Sequence, residues 1–320
     1  MDVVGNDLAG LSAGDRAALV GLLARAEDAD GHPPLPEPER VAVESPGRVA
    51  GIRLVTARRA DGTLAGCALL SPARDGSWVL HLVVDPGVRS GPPDVAAALL
   101  ERAVAEAPRG RTLHLWIMQA EPEDDARAAA SGFTPERDLL QMRVALPLPR
   151  QVVAATRPLV TRPFVPGRDE AAWVEANNRA FADHPEQGGW TVAQLRERMG
   201  APWVDPAGFL VADDPVGPGF IGSCWTKVHR DHTPALGEIY VIGVDPRHHG
   251  QGWGRSLTVA GLEWLAGQGL RHGMLYTDAG NEPAVALYRS LGFHVDHVDR
   301  SYRLGPGEPG GPGQATPDRP

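Results

Sequence analysis

Two long stretches of the chain show the same order of hydrophobic patterns. In each, a helical stretch precedes three runs in which apolar and polar residues alternate, and a helix, a strand, a short helix and a last strand follow. The strands are predicted at Arg53–Thr56, Leu64–Leu70, Trp78–Val84, Leu113–Ile117 and Leu139–Ala145, and again at Gly208–Ala212, Gly219–Val228, Gly237–Val244, Gly273–Thr277 and His294–Leu304. The helices are predicted at Ala13–Asp28, Asp94–Ala107 and Asp124–Ser131, and again at Glu170–Asp183, Thr191–Met199, Gly252–Gly267 and Glu282–Leu291.

Short identical markers indicate that the two stretches are copies of each other. Val84-Asp85-Pro86 ends an alternating run in the first stretch and Val244-Asp245-Pro246 ends one in the second, 160 residues later (244 − 84). Gly132-Phe133 and Gly292-Phe293 each follow a short helix, and their separation is also 160 (292 − 132). A constant separation with a constant order of elements predicts a tandem duplication of a mixed α/β domain.

Proline and glycine set the predicted limits of the two domains. Residues 147–163 carry several prolines without a clear apolar period, so we interpret them as a linker with one short strand near Pro158–Arg162. Residues 305–320 are rich in glycine and proline, which predicts a disordered tail. The first domain is then 1–146 and the second 164–304.

Composition and charge exclude several classes of protein. The 320 residues carry a net charge of −9, which argues against non-specific binding to nucleic acid. Two cysteines make no disulfide framework and fit a reducing cytoplasm. The first residues resemble no signal peptide, and no apolar run is long enough to cross a bilayer. Lys227 is the only lysine among 31 basic residues, a bias typical of a GC-rich genome.

A glycine-rich turn follows the strand that ends at Val244. Gly250, Gly252 and Gly254 lie between this strand and the start of a helix. The backbone N–H groups and the dipole at such a helix start attract anions, and glycines let a phosphate approach the backbone. The turn lacks the Gly-Lys-Ser/Thr of a Walker A motif. Taken alone, it fits either a phosphate site or a tight turn without a ligand.

The helix predicted at Glu282–Leu291 carries a second group of residues with a regular spacing. Asn281 suits the N-cap of this helix, and Pro283 suits its first turn, where the missing N–H costs nothing. Ala284 and Tyr288 are four residues apart and share one face of the helix.

Together these residues resemble the two motifs of the GCN5-related N-acetyltransferase (GNAT) superfamily. The motif Q/R-x-x-G-x-G/A corresponds to His249–Gly254, with His249 where the superfamily prefers Gln or Arg, and N-x-x-A-x-x-x-Y-x-x-x-G-F is complete from Asn281 to Phe293. The resemblance implies two tandem α/β domains, each with a mixed, mostly antiparallel sheet flanked by helices, and acetyl-CoA as the co-substrate. It implies that acetyl-CoA contacts Ile242, Gly243, Val244, His249, Gly250, Gln251, Gly252, Trp253, Gly254, Arg255, Asn281, Glu282, Pro283, Ala284, Val285 and Ala286.

Longer phrases narrow the resemblance. NNRAFADHPEQGGWT, SCWTKVH, LGEIYVIGVDP and DHVDRSYR are similar to the mycothiol synthase family of tandem acetyltransferases. This similarity implies direct transfer of an acetyl group to the cysteinyl amine of cysteinyl-glucosaminyl-inositol, which gives mycothiol. We expect the enzyme to be a cytoplasmic monomer that binds no nucleic acid, membrane or metal. The substrate contacts that it implies are Glu39, Glu186, Lys227, Glu238 and Tyr276.

Acetyl transfer to an amine requires a base for the amine and an acid for the CoA thiolate. Glu238 is the predicted base, acting directly or through water, and its alternative is a structural carboxylate of the strand. Tyr288 is the predicted acid, because a phenol stays protonated at neutral pH. Its alternative is a packed aromatic residue of the helix. For Glu39, Glu186, Lys227 and Tyr276 the alternative is a solvated surface position.

The first domain lacks these features. With the separation of 160, the turn His249–Gly254 corresponds to residues 89–94, where Pro92 and Pro93 have no N–H to donate and Asp94 adds a negative charge. Glu238 and Tyr288 correspond to Trp78 and Ala128. We therefore predict a degenerate first domain that binds no acetyl-CoA.

Two other functions stay open at this point. One is a GNAT enzyme for another amine, such as a peptide N-terminus or an aminoglycoside. The other is a non-enzymatic module that senses acyl-CoA. A zinc site at His229 and His232 is not predicted, because no further ligands follow at a suitable spacing.

Overall fold

The computed structural model describes residues 1–44, 51–73, 75–182, 187–230 and 234–306. The strands in these ranges are β1 (Asp2–Asp7), β2 (Arg53–Arg58), β3 (Leu64–Pro72), β4 (Trp78–Val84), β5 (Leu113–Ile117), β6 (Thr134–Ala145), β7 (Arg162–Pro163), β8 (Phe209–Asp213), β9 (Phe220–His229), β10 (Leu236–Val244), β11 (His272–Asp278) and β12 (His294–Leu304). The α-helices are α1 (Ala13–Asp30), α2 (Glu37–Glu44), α3 (Val95–Glu106), α4 (Pro122–Ala130), α5 (Arg150–Ala154), α6 (Glu170–Ala180), α7 (Val192–Met199), α8 (Trp253–Gly267) and α9 (Glu282–Ser290).

The structure adds elements that the sequence pattern did not predict. Strand β1 has mostly exposed side chains and pairs antiparallel with β2, so its strand conformation depends on that pairing more than on its own apolar pattern. Helix α2 and the short α5 were also missed. Strand β6 begins at Thr134, ahead of the predicted start at Leu139. Residue 183 of the predicted Glu170–Asp183 helix and residues 307–320 of the predicted tail lie outside the described residues.

The chain divides into two compact units. The first contains Met1–Leu139 and the chain from His297 on, and the second contains Leu140–Asp296. Strands β6 and β12 therefore each contribute residues to both units. The limits 1–146, 147–163 and 164–304 describe the sequence repeat and stay a prediction. Among the described residues, no helix is both long and apolar enough to cross a membrane.

The first unit contains strands in the order β1-β2-β3-β4-β5-β12. Neighbouring strands are antiparallel except for β4 and β5, which run parallel. One apolar cluster joins the sheet to α3 through Val95, Leu99 and Leu100. A second cluster includes Leu19 and Leu22 of α1. The unit thus buries both faces of its sheet, which is why its strands are rich in apolar residues.

The second unit contains strands in the order β6-β11-β10-β9-β8-β7. Helix α8 packs closely on one face, where a side chain at Gly261 would collide with the sulfur of Cys224. The other face carries an aromatic cluster in which Phe209 and Trp225 stack at 4.4 Å between ring centroids. Trp173 of α6 belongs to this cluster, and its indole N–H donates to Ser223 Oγ at 2.8 Å.

Strand β10 has two irregularities that determine where the site forms. Its pairing with β9 shifts register between Ile239 and Val241, which places a bulge at Tyr240. Its parallel pairing with β11 covers only Gly237–Ile239. Because β10 continues to Val244, its last residues extend beyond the described pairing with β11 and leave backbone groups available on that side.

Candidate active site

A cavity of about 310 Å³ lies at the end of β10, a volume in the range of small-molecule sites. It is bounded by the end of α6, the last residues of β10, the glycine-rich turn and the first residues of α8 and α9. Its lining residues are Ala180, Phe181, Ile242, Gly243, Val244, His248, His249, Gly250, Gly252, Trp253, Gly254, Thr258, Asn281, Ala284, Leu287 and Tyr288.

The glycine-rich turn presents the start of α8 to this cavity. Gly250 and Gly252 adopt left-handed φ angles of 73° and 84°, which disfavour any side chain, and the space beside both is open. Gly252 is the N-cap of α8 and therefore has no side chain to cap the helix. His249 donates from Nε2 to the carbonyl of Val244 at 2.9 Å. The turn thus offers an anion the positive end of a helix without a competing carboxylate.

The segment just before β7 contacts this turn and the start of α8. The Arg157 guanidinium stacks 3.6 Å from the centroid of the Trp253 ring, and its Nη1 donates to the carbonyl of Gln251 at 3.0 Å. Arg255 donates to Thr156 Oγ1 at 3.2 Å. These contacts tie the turn and the start of α8 to residues 156 and 157.

Helix α9 contributes a capped start and a buried phenol. The Asn281 side chain accepts from the backbone N–H of Ala284 at 3.3 Å, as an N-cap does. Tyr288 is buried at the cavity wall. Burial, with a smaller contribution from the nearby Cys224 thiol, raises the pKa of the Tyr288 hydroxyl well above its usual value. This phenol therefore keeps its proton at neutral pH and has an O–H to donate.

Glu238 lies on β10 and is buried at 8% exposure. Its register partner on β9 is Lys227, and opposed residues of antiparallel strands point to the same face of the sheet. His229, two residues further along β9, donates from Nε2 to Glu238 Oε2 at 2.7 Å. The structure thus places a carboxylate that can accept a proton beside a lysine and a histidine.

The ammonium group of Lys227 lies over two aromatic rings. Its Nζ is 4.9 Å from the centroid of the Trp203 ring and 5.8 Å from that of Tyr240, distances at which a cation is attracted by the ring faces. Tyr240 lies two residues after Glu238 on β10, so strand alternation places its ring on this face. The only lysine of the chain is therefore held above an aromatic platform on the same face as Glu238.

Tyr276 belongs to the same face of the sheet. Parallel register pairs Glu238 with Met274, so Tyr276, two residues further along β11, points to the side of Glu238. It is 40% exposed, and Gln141 donates from Nε2 to its hydroxyl at 2.7 Å. Arg143 in turn donates to Gln141 Oε1 at 2.8 Å. The sequence analysis missed Gln141, because nothing in the local pattern of β6 indicates that it meets β11.

Comparisons with known proteins agree with this geometry. The family model described as "Acetyltransferase (GNAT) family" matches residues 171–293. A "Mycothiol acetyltransferase" of Kocuria rhizophila is 42% identical over 293 residues, which cover 89% of this chain and 94% of that protein. The chain belongs to the mycothiol acetyltransferase family. It is therefore an acetyltransferase of the GNAT superfamily, as the sequence motifs predict.

Solved structures support the same fold. A GCN5-related N-acetyltransferase from Sphaerobacter thermophilus has a TM-score of 0.67 and 25% identity, with 95% of each chain covered. A tandem GNAT protein from the clavulanic acid biosynthesis pathway has a TM-score of 0.66 at 18% identity and covers 98% of this chain and 100% of its own. At 18% identity, the second similarity supports the fold and carries no information on function. Together they confirm the predicted tandem GNAT architecture of this family member.

Not every residue predicted for this mycothiol acetyltransferase site lies at the cavity. Val285 is buried in the core at 7% exposure, and Gln251, Arg255, Glu282, Pro283 and Ala286 are absent from the lining. Glu186 lies outside the described residues. Glu39 belongs to α2 of the first unit, where its Oε1 accepts from Ser71 Oγ at 2.9 Å. The roles predicted for these residues stay predictions.

The structure also adds cavity residues that the sequence analysis missed. Leu287 follows Ala284 by three residues, so helical spacing could have found it. Ala180 and Phe181 come from the end of α6, and no local signal connects them to the turn. A side chain at Gly243 would lie 3.1 Å from the Phe181 ring, which explains why the strand carries glycine there. Within the described ranges, no group of three or more His, Cys, Asp or Glu side chains could hold a metal ion.

Proposed function

We propose that this chain transfers the acetyl group of acetyl-CoA to the cysteinyl amine of cysteinyl-glucosaminyl-inositol and so forms mycothiol. The transfer is direct, within a complex of enzyme and both substrates. The amine nitrogen bonds to the thioester carbon, the carbon–sulfur bond breaks, and the amine loses one proton while the CoA thiolate gains one. The 42% identity to a mycothiol acetyltransferase over 89% of the chain supports this substrate.

Acetyl-CoA occupies the cavity at the end of β10. Its pyrophosphate binds the turn from His249 to Gly254, where left-handed glycines and the start of α8 attract an anion. Its pantetheine arm runs along Ile242–Val244, whose backbone extends past the pairing with β11. One observation carries the proposal. The start of α8, which has no side-chain cap, and the buried phenol of Tyr288 line the same cavity.

Glu238 accepts the proton of the amine, directly or through water. Its buried position and its location on the strand that forms the cavity wall support this role. Tyr288 gives a proton to the thiolate and regains it from solvent. The position of Tyr288 in the lining of the same cavity as the start of α8 supports this role.

The amine substrate binds on the face of the sheet that carries Lys227, Glu238 and Tyr276. Lys227 donates to hydroxyl groups of the sugar or inositol, and Tyr276 contributes a half-exposed hydroxyl that Gln141 orients. The net charge of −9 suits a small-molecule substrate better than nucleic acid. We also propose that the enzyme is a monomer that acts in the cytoplasm, away from membranes and without a metal. Its two buried free thiols fit a reducing compartment.

The first unit is a degenerate copy that binds no acetyl-CoA. At the start of α3, Asp94 Oδ1 accepts from the backbone N–H of Ala97 at 3.0 Å, and Arg127 donates to Asp94 Oδ2 at 2.9 Å. The carboxylate thus occupies the positive end of the helix that a pyrophosphate would need. The prolines at 92 and 93 remove two further donors.

Purified protein tests the proposed function. With acetyl-CoA and cysteinyl-glucosaminyl-inositol, we expect release of free CoA and a product heavier by one acetyl group. Glucosaminyl-inositol without the cysteinyl group is the matched control and should not react. Faster acetylation of a peptide N-terminus or an aminoglycoside would assign the enzyme to another amine. Acetyl-CoA binding without turnover of any of these amines would indicate a sensing module.

A further inference from the structure

His229 and Glu238 form a contact between two neighbouring strands. The register pairs Leu236 with His229 and Glu238 with Lys227, so His229 is the diagonal neighbour of Glu238. Diagonal pairs on one face of an antiparallel sheet are within reach of long side chains. The contact therefore results from the pairing of β9 with β10, and local sequence alone does not predict it.

This contact is short and largely shielded from water. His229 Nε2 lies 2.7 Å from Glu238 Oε2, and the side chains are 18% and 11% exposed. The structure gives the Glu238 carboxylate one hydrogen bond within the described residues, and it is this one. One carboxylate oxygen is thereby engaged, and no hydrogen bond to Oε1 is seen from the described residues.

We propose that His229 is a positioning residue for acetyl transfer. It holds Oε2 of Glu238 by donating its Nε2–H, so that Oε1 faces the amine and accepts its proton. This inference rests on the proposed role of Glu238 as the base. His229 does not touch the reacting atoms and acts only through Glu238.

The chemistry explains why such a residue is useful. A glutamate side chain has three rotatable bonds, and a free carboxylate would distribute its two oxygens over several orientations. Proton transfer requires a separation of about 2.6–3.2 Å between the heavy atoms, and a displacement of about 1 Å can cost about 100-fold in rate. Anchoring one oxygen removes most of this freedom before the substrate binds.

Three variants of His229 test the proposal. We expect His229→Ala to lower kcat about 10–100-fold with little change in the KM for acetyl-CoA, since the cavity of the cofactor is untouched. His229→Gln keeps an N–H donor of similar reach and should recover most of the loss. His294→Gln, at an exposed histidine of β12, is the matched control and should keep full activity. Thermal unfolding of each variant separates a loss of folding from a loss of positioning.

A double-mutant cycle separates this proposal from the proposed function. Once Glu238→Gln has removed the base, adding His229→Ala should cost almost nothing further in kcat, because His229 then has no carboxylate to orient. A full additional loss in the double variant would overturn the positioning role. Wild-type kcat in His229→Ala would do so as well. Wild-type kcat in Glu238→Gln alone would instead contradict the proposed base.

Discussion

The turns after β4 and β10 are held by the same type of aspartate hydrogen bond, but the helices that follow them have different N-caps. Asp85 accepts from the backbone N–H of Gly87 at 2.9 Å, and Asp245 accepts from that of Arg247 at 3.0 Å. Yet the N-cap of α3 is Asp94, which caps the helix with its own carboxylate, whereas the N-cap of α8 is Gly252, which has none. The comparison teaches that two domains of one fold can keep the same turn while the start of the next helix is either occupied by an internal carboxylate or left open.

The strands before these turns differ as well. Strand β4 pairs with β3 in unbroken register from Trp78 to Val84. Strand β10 shifts register against β9 between Ile239 and Val241. Of these two strands, only β10 therefore carries a bulge, and its extra residue is Tyr240, whose ring lies 5.8 Å from Lys227 Nζ.

The largest expected effect is on kcat, and it concerns Glu238, a carboxylate with no counterpart in the first unit. Glu238→Gln should lower kcat about 10²–10⁴-fold, because an amide cannot accept the proton of the amine. Acetyl-CoA binding should change little, since the side chain lies outside the lining of the cavity. Steady-state kinetics and calorimetry with acetyl-CoA measure the two quantities.

The counterpart in the first unit provides the control. The strand pairing makes Val79, and not the predicted Trp78, the counterpart of Glu238: Trp78 and Gly237 pair with Leu113 and Gly273, and Val79 and Glu238 pair with the next residues. The extra residue of β10 at its bulge causes this shift. Val79→Ala removes no carboxylate and should leave kcat unchanged. A comparable loss of kcat in both variants would show that the two copies share the chemistry, and the proposed division of roles would be wrong.

The second effect concerns the charge at the helix start. Gly254→Asp should weaken acetyl-CoA binding about 100-fold, because juxtaposed like charges cost several kcal/mol and each 1.4 kcal/mol is tenfold. A side chain fits there, since a Cβ would lie 3.5 Å from Leu287 and 3.9 Å from Val244. Titration calorimetry measures the affinity.

Charge and size can be separated in this experiment. Gly254→Asn has nearly the same volume without the charge and should lose much less affinity. Equal losses would indicate a steric effect.

In wild-type protein the same titration should give one acetyl-CoA per chain, and Asp94→Asn should leave both affinity and stoichiometry unchanged. Two tight sites would contradict the degenerate first unit.

The third effect concerns the aspartate that follows β4 in one copy and β10 in the other. The Asp245 carboxylate is fully buried and accepts from Arg179 Nη2 at 2.6 Å, and Asp85 accepts from Arg25 Nη2 at 2.7 Å. We expect Asp245→Asn and Asp85→Asn each to lower the free energy of unfolding by about 1–3 kcal/mol. Only Asp245→Asn should also weaken acetyl-CoA binding, because its turn leads to the cavity. Urea unfolding and calorimetry measure both.

The pH dependence of these variants has a definite sign. Burial by itself would raise the pKa of both carboxyls, but their arginine and backbone N–H donors outweigh it and hold each pKa below its usual value. A lowered folded pKa contributes stability above the unfolded pKa of about 3.9, and this stability is lost as the pH falls. The difference in free energy of unfolding between wild type and Asp245→Asn should therefore shrink below about pH 4. A gap that widens there would exclude this explanation.

The smallest expected effect concerns Lys227. Lys227→Met should raise the KM for the amine about tenfold, because hydroxyl partners left unpaired cost about 1–3 kcal/mol. Lys227→Arg keeps the charge but misplaces a larger planar group and should raise it a few-fold. The KM for acetyl-CoA should not change in either variant. Wild-type constants for the amine in both would make Lys227 a structural residue of the aromatic platform.

The repeat and the chemistry of the glycine turn were predictable because they are local. The left-handed glycines, the Asn281 cap and the carboxylate of Asp94 act within a few residues of their own position. A pattern over a few consecutive residues therefore contains most of the information about them. This is why the GNAT family and most of the residues that line the cavity followed from the sequence.

Other parts of the site required the tertiary structure. The bulge at Tyr240, the contact of His229 with Glu238 and that of Gln141 with Tyr276 depend on strand register, which relates segments far apart in sequence. A shift of one residue would turn each of these side chains to the other face. Phe181 reaches the cavity from the end of α6 in the same way. The sequence by itself determined which side chains are able to do chemistry, and only the packing of the sheet decided which of them meet.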